Sequence, residues 1–221
     1  MSVRIGLIDS GVSQALQSNV TLSRRFDDLP GDAPAQPDSI GHGDGLARLI
    51  LQGCPEAELL NAQVFHDHGR SPVARIAEAL DWLVKEGAQL VNMSFGFAGS
   101  TERLAEACRL AAEQGVILVA SSPATGGIVL PAALPECLAV TGDARCSAEE
   151  ISWLGQRHAD LGACPMIVPG QPRHGGGSSY ACARVTGLIG RIISREGIPP
   201  AQLPEYLRQT ARYLGPEIRR A

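Results

Sequence analysis

The chain has 221 residues, a formal net charge of −4, 44% hydrophobic residues and 25 glycines. That length predicts one domain, residues 1–221, with a sizeable core. The mildly acidic balance gives no basis for a nucleic-acid or anionic-membrane partner. No stretch approaches the roughly 18 apolar residues of a membrane-spanning helix, and no basic segment followed by an apolar one opens the chain as a signal peptide would.

The elements alternate along the chain. Val3 to Ile8 is an apolar run and predicts a buried strand. Ser13 to Asp38 is polar, with Asp and Pro concentrated towards its end, and predicts mostly loop. Gly43 to Leu51 predicts a helix, and Leu59 to Val64 a strand. Val73 to Glu86 is amphipathic: Val73, Ile76, Ala77, Leu80, Leu83 and Val84 share one face, and Ser71-Pro72 opens it. Leu90 to Phe95 predicts a strand. Thr101 to Gln114 predicts a helix stopped by Gly115. Two strands follow, Val116 to Ser121 and Cys137 to Thr141. Ser179 to Arg195 predicts a long apolar helix, Pro199-Pro200 a turn, and Leu203 to Thr210 a last surface helix. Such alternation implies an α/β fold of three layers, a mainly parallel sheet with helices on both faces. Cys54, Cys108, Cys137, Cys146, Cys164 and Cys182 are scattered, several in apolar runs, with no C-x-x-C pair. They predict free, mostly buried thiols of a reducing cytoplasm rather than a disulfide framework.

Three segments carry chemistry. Ile5-Gly-Leu-Ile-Asp-Ser-Gly11 is an apolar run ending in Asp9, which places a carboxylate at the carboxyl end of a strand, where open α/β sheets build their sites. Gly41-His-Gly-Asp-Gly-Leu-Ala47 places His42 at a helix start, framed by glycines. Gly175-Gly-Gly-Ser-Ser-Tyr-Ala-Cys-Ala-Arg-Val-Thr-Gly187 delivers Ser179 to the anion-favouring end of an apolar helix. Each has an ordinary counterpart: a turn-capping Asp, a solvated His at a helix start, a Ser178 or Ser179 helix cap. Together they present a carboxylate, an imidazole and a hydroxyl in the chain order Asp, His, Ser, one of the known orders of a hydrolytic triad.

On these blocks the chain resembles the subtilisin-like serine peptidases, whose segments read D-[ST]-G, H-G-T-x-x-A and G-T-S-x-A-x-P-x-V-x-G. Between them, Val91-Asn-Met-Ser-Phe-Gly96 resembles the family's substrate-binding strand. Leu130-Pro-Ala-Ala-Leu-Pro-Glu-Cys-Leu-Ala-Val140 resembles its later proline-bracketed strand, and Pro169-Gly170 precedes the serine block as in the family. The resemblance runs from about Val3 to Leu214. It implies that Ser179 is the nucleophile, that His42 takes and returns its proton, and that Asp9 orients His42 and stabilises the imidazolium. It also implies that Ser94, Phe95 and Gly96 hold the substrate backbone. Ser178 is the competing nucleophile; the spacing to Ala181, Val185 and Gly187 favours Ser179.

Four departures bear on the chemistry. The family's Ala-Ala-Gly-Asn stretch, whose Asn binds the oxyanion, is replaced by Ala120-Ser-Ser-Pro-Ala-Thr-Gly126. Ser121, Ser122 or Thr125 is then the candidate substitute, and loss of such a donor costs about 10²–10³ in rate. Asp44 and Gly45 follow His42-Gly43, and Asp44 reads either as a carboxylate that raises the His42 pKa or as a solvated helix-start acid. Ala183 stands in place of the family's Pro. The segment from Leu51 to Cys54 is too short for the calcium loop of secreted members and has no cluster of oxygen ligands. His66-Asp67-His68 looks metal-like but lacks a third distant ligand, so neither a metal nor another cofactor is expected.

Asp9 lies so near the start that no inhibitory propeptide is expected, and a cytoplasmic peptidase without one calls for narrow specificity. Small family members of this kind resemble those that remove leader peptides, so a dedicated peptide or protein precursor is the expected partner. A catalytically silent peptide-binding module and an acyl-transferring macrocyclase are the alternatives.

Overall fold

The computed structural model describes residues 2–27, 33–66, 70–99, 102–125 and 127–217. Nine strands among these form one sheet: β1 (Arg4–Asp9), β2 (Val20–Arg25), β3 (Glu58–Gln63), β4 (Leu90–Met93), β5 (Ile117–Ser121), β6 (Cys137–Gly142), β7 (Ile151–Gln156), β8 (Ala159–Ala163) and β9 (Tyr213–Leu214). Their spatial order is β2-β3-β1-β4-β5-β6-β8-β7-β9. Every pairing is parallel except the β7–β8 hairpin.

Five α-helices among the described residues cover the two faces: α1 (His42–Gly53), α2 (Val73–Lys85), α3 (Glu102–Glu113), α4 (Ser178–Glu196) and α5 (Leu203–Thr210). The central strands are mostly apolar and buried because both their faces are covered. On one face Leu46, Ile50, Val185 and Ile189 of α1 and α4 pack on Ile5, Leu7, Val119 and Val140. On the other, Leu80, Leu83 and Leu104 of α2 and α3 pack on Ile8, Leu60, Val91 and Leu118. The three-layer, mainly parallel architecture read from the sequence is the one present.

Several local expectations need correction. Among its described residues, the segment from Ser13 to Asp38 adds to its loop a 3-10 helix, Gln14–Asn19, and strand β2. β2 is the sheet's edge and is half-buried along most of its length, so it lacks the continuous apolar run that marked its neighbours. The β7–β8 hairpin escaped notice because each strand is short and β7 ends in Gly155-Gln156. The strand predicted to reach Phe95 stops at Met93, where the chain leaves the sheet. The proline-bracketed stretch becomes a strand only from Cys137; the turns before it begin at the cis Leu130–Pro131 bond. Pro200 does not lie in a simple turn but opens a 3-10 helix, Pro200–Gln202, that feeds α5.

α1 and α4 touch closely because two glycines meet. A Cβ on Gly187 would lie 2.7 Å from the Ile50 carbonyl oxygen and 3.1 Å from the Gly53 Cα. These are backbone atoms and cannot rotate away. Gly187→Ala should therefore destabilise the protein by about 1–3 kcal/mol, although alanine is the better helix former by about 1 kcal/mol. Urea denaturation would show this as a lower midpoint at unchanged slope; a raised midpoint would mean the two helices can separate freely.

Candidate active site

The site starts at the end of β1. Asp9 is fully buried there, and the chain turns at Ser10. Asp9 Oδ1 accepts from the Ser10 N–H (2.8 Å) and the Ser10 hydroxyl (3.2 Å). The same oxygen lies 2.8 Å from His42 Nδ1. The Gly43 N–H donates to Ser10 Oγ at 2.9 Å, so the first turn of α1 rests directly on the β1 turn. Only a residue without a side chain fits at Gly43. A Cβ there would come within 2.3 Å of the Gly11 carbonyl oxygen and 3.2 Å of Asp9 Oδ1.

Asp38 organises the other side of this helix start. Its Oδ1 accepts from the Ile40 and Gly41 N–H groups and its Oδ2 from the Asp44 N–H, all at 2.9 Å. This capping role was missed in the sequence, although an Asp shortly before a helix start is its usual signature. Asp44 accepts from the Ser13 N–H (2.9 Å) and Arg48 Nε (2.8 Å). Burial opposes its ionisation, but the Ser13 and Arg48 donors hold its carboxyl below the ordinary range. It therefore acts as a latch between the Ser13 loop and α1.

The electrostatics of His42 follow. Burial alone would lower its pKa; the hydrogen bond and charge of Asp9, then the charge of Asp38, outweigh burial and raise it above 6.5. The charges responsible are Asp9 and Asp38, whereas Asp44 is taken up by Ser13 and Arg48. The Tyr180 ring meets the His42 imidazole edge-on, 6.0 Å between centroids. That contact brings the residue next to Ser179 onto the Asp9–His42 pair.

Ser179 lies in the first turn of α4, where backbone N–H groups have no partner within the helix. Its hydroxyl donates to the Ser94 carbonyl at 3.0 Å, and the Ser94 hydroxyl donates back to the Ser179 carbonyl at 3.1 Å. Ser178 faces elsewhere, into a recess of about 560 Å3 that it shares with Thr125 and Thr141. The three candidate oxyanion donors are spread. Ser121 ends β5 and is buried; the Ser122 N–H is taken by the Val140 carbonyl at 2.7 Å, which leaves its hydroxyl; Thr125 is exposed on the recess rim.

Ser94, Phe95 and Gly96 run out of the sheet beside Ser179. Ser94 is buried, Phe95 half-buried and Gly96 exposed. The Phe95 ring packs edge-on against Phe65 (5.5 Å), and with Phe97 the two line a cleft of about 460 Å3. All six cysteines are free and buried. Burial pushes the Cys182 thiol, one turn beyond Ser179, up to about 12, so it is no thiolate nucleophile. His66 Nε2 lies 3.0 Å from the Phe26 carbonyl oxygen; Asp67 and His68 lie outside the described residues. Among the described residues no three His, Cys, Asp or Glu side chains gather as metal ligands.

The family model for the Subtilase family (Peptidase S8) matches residues 2–220. The chain belongs to that family. Subtilisin BL from Lederbergia lenta is 30% identical over 149 residues, 62% of this chain and 54% of that protein, so the chain spans about half the length of that relative. A solved lanthipeptide protease superposes with a TM-score of 0.74 at 21% identity, covering 97% of this chain and 81% of that one. The epidermin leader-peptide-processing serine protease of Staphylococcus aureus superposes with a TM-score of 0.72 at 15% identity, covering 94% of this chain and 68% of that one. At such identities the superpositions establish a shared fold.

The raised His42 pKa has a testable sign. A group whose folded pKa exceeds its unfolded value stabilises the fold below the unfolded pKa, and that contribution is lost as pH rises through the folded value. In an NMR titration His42 should titrate above 6.5, and Asp9→Asn should move it downward by removing the main raising partner while burial remains. An unchanged His42 titration in Asp9→Asn would contradict the assignment.

Proposed function

We propose that the protein is a serine endopeptidase in which Ser179 attacks the peptide carbonyl, His42 takes the Ser179 proton and returns it to the leaving amine, and Asp9 holds His42 in the productive tautomer. The carrying observation is the 2.8 Å Asp9–His42 pair beside the first turn of α4. A turn about the Ser179 Cα–Cβ bond releases its hydroxyl from the Ser94 carbonyl towards the imidazole; such bonds commonly tighten only when substrate is bound. The Ser179 N–H supplies one oxyanion donor, and the hydroxyl of Ser121, Ser122 or Thr125 the second. The substrate adds as a strand along Ser94–Gly96 and places apolar side chains in the Phe65–Phe95–Phe97 cleft.

The substrate is a leader-bearing peptide or protein precursor in the cytoplasm. Six unpaired, buried thiols fit a reducing compartment. Two proteins sharing the fold are described as a lanthipeptide protease and a leader-peptide-processing protease, which favours leader removal over bulk digestion. A second reading, peptide binding without turnover, draws on the absence of an Asn among residues 120–125 and on the engagement of Ser179 by Ser94.

Cleavage of leader-bearing precursors and of casein, followed by mass spectrometry, separates these readings. Ser179→Ala should lower kcat by at least about 10⁴, whereas Ser178→Ala should cost far less. The precursor should be cut at one site and casein barely at all. Rapid unselective digestion of casein would refute the dedicated-substrate reading, and equal losses in both serine variants would refute the assignment of Ser179.

A further inference from the structure

Asn92 stands in the middle of β4, flanked by Leu90, Val91 and Met93, and is fully buried. An amide buried in an apolar strand is costly unless its hydrogen bonds are made. Here both ends are engaged, and every partner leads to α4. Asn92 Oδ1 accepts from the Cys182 thiol at 3.4 Å and lies 3.0 Å from Thr186 Oγ1, which shares its proton with the Cys182 carbonyl at 2.9 Å. At the other end Asn92 Nδ2 donates to Ser94 Oγ at 2.9 Å. A serine hydroxyl has one proton and two acceptor positions. Because Ser94 Oγ accepts from Asn92, its own proton is directed to the Ser179 carbonyl, 3.1 Å away. Ser179 Oγ closes the loop on the Ser94 carbonyl at 3.0 Å.

From this loop we infer that Asn92 is a positioning residue for Ser179. It grips α4 at Cys182 and Thr186, beyond the nucleophile, and it aims the Ser94 hydroxyl at the nucleophile's own carbonyl. The first turn of α4 is thereby held in place relative to the end of β4, where the substrate strand is to lie. Without the amide, the Ser94 hydroxyl is free to rotate and Ser179 loses one of its two ties to β4. The inference rests on the peptidase reading: Asn92 touches no reacting atom and acts through Ser94 and through its hold on α4.

A double-mutant cycle tests it, because the part of the Asn92 effect that passes through Ser94 must vanish once the Ser94 hydroxyl is gone. Asn92→Ala should lower kcat about 10- to 100-fold with KM within about twofold, as small misplacements of a nucleophile do. Ser94→Ala should give a similar loss, and the double variant should lose at least about fivefold less than the product of the two single losses. Additive losses, an unaffected kcat in Asn92→Ala, or a change confined to KM would overturn the inference. Should Asn92→Ala fail to fold, Thr186→Val and Thr186→Ser carry the test. The valine variant should lose about threefold or more in kcat and the serine variant should regain it; equal rates would count against positioning. A wild-type protein that cleaves no peptide removes the peptidase reading alone. Crystal structures then decide the clamp: departure of the Ser179 hydroxyl from the Ser94 carbonyl in Asn92→Ala, or Thr186→Val in its place, supports it, and an unmoved Ser179 overturns it.

Discussion

The site depends on the contact between the first turn of α1 and the end of β1. There the Gly43 N–H meets the Ser10 hydroxyl, which itself lies on Asp9 Oδ1. This contact places His42 over the buried carboxylate, and it tolerates no side chain at position 43. Once α1 is seated, its crossing with α4 at Gly53 and Gly187 sets where Ser179 can be. Parallel strands and the helices between them run in opposite directions, so both helix starts lie at the carboxyl edge of the sheet. Asp9, Ser94, His42 and Ser179 therefore converge from four elements far apart in sequence.

The same edge explains why the buried polar groups of the site lie together. Asp9, Ser10, Asn92, Ser94, Ser121 and Ser122 are all buried, and all lie at or near the carboxyl ends of β1, β4 and β5. Most are hydrogen-bonded to one another or to backbone groups, which restricts their rotamers. Asp9 Oδ2 is the exception: buried and without a hydrogen-bond partner among the described residues. Among the described residues the His42 ring is the one side-chain partner of Asp9 beyond the neighbouring Ser10.

Much of this was legible in the sequence where one residue type has one physical reason. A continuous apolar run ending in Asp9 reads as a covered strand, and glycines around His42 and Ser179 marked places where backbone comes close. What stayed hidden depended on neighbours distant in sequence. β2 and the β7–β8 hairpin are half-covered strands whose pattern is set by what lies beside them. Asn92 read simply as part of a resemblance, because its significance lies in Cys182 and Thr186, some ninety residues later. Asp38 sat in a polar stretch, and its influence on His42 appears only when α1 is placed.

The central claim is that Asp9 and His42 make the Ser179 hydroxyl, and not its neighbour, nucleophilic. A fluorophosphonate reagent, which reacts covalently with an activated serine, tests it when the modified residue is mapped by peptide mass spectrometry. The account predicts modification at Ser179 that disappears in His42→Ala. Modification at Ser178, labelling that persists without His42, or a protein that remains unlabelled would contradict it.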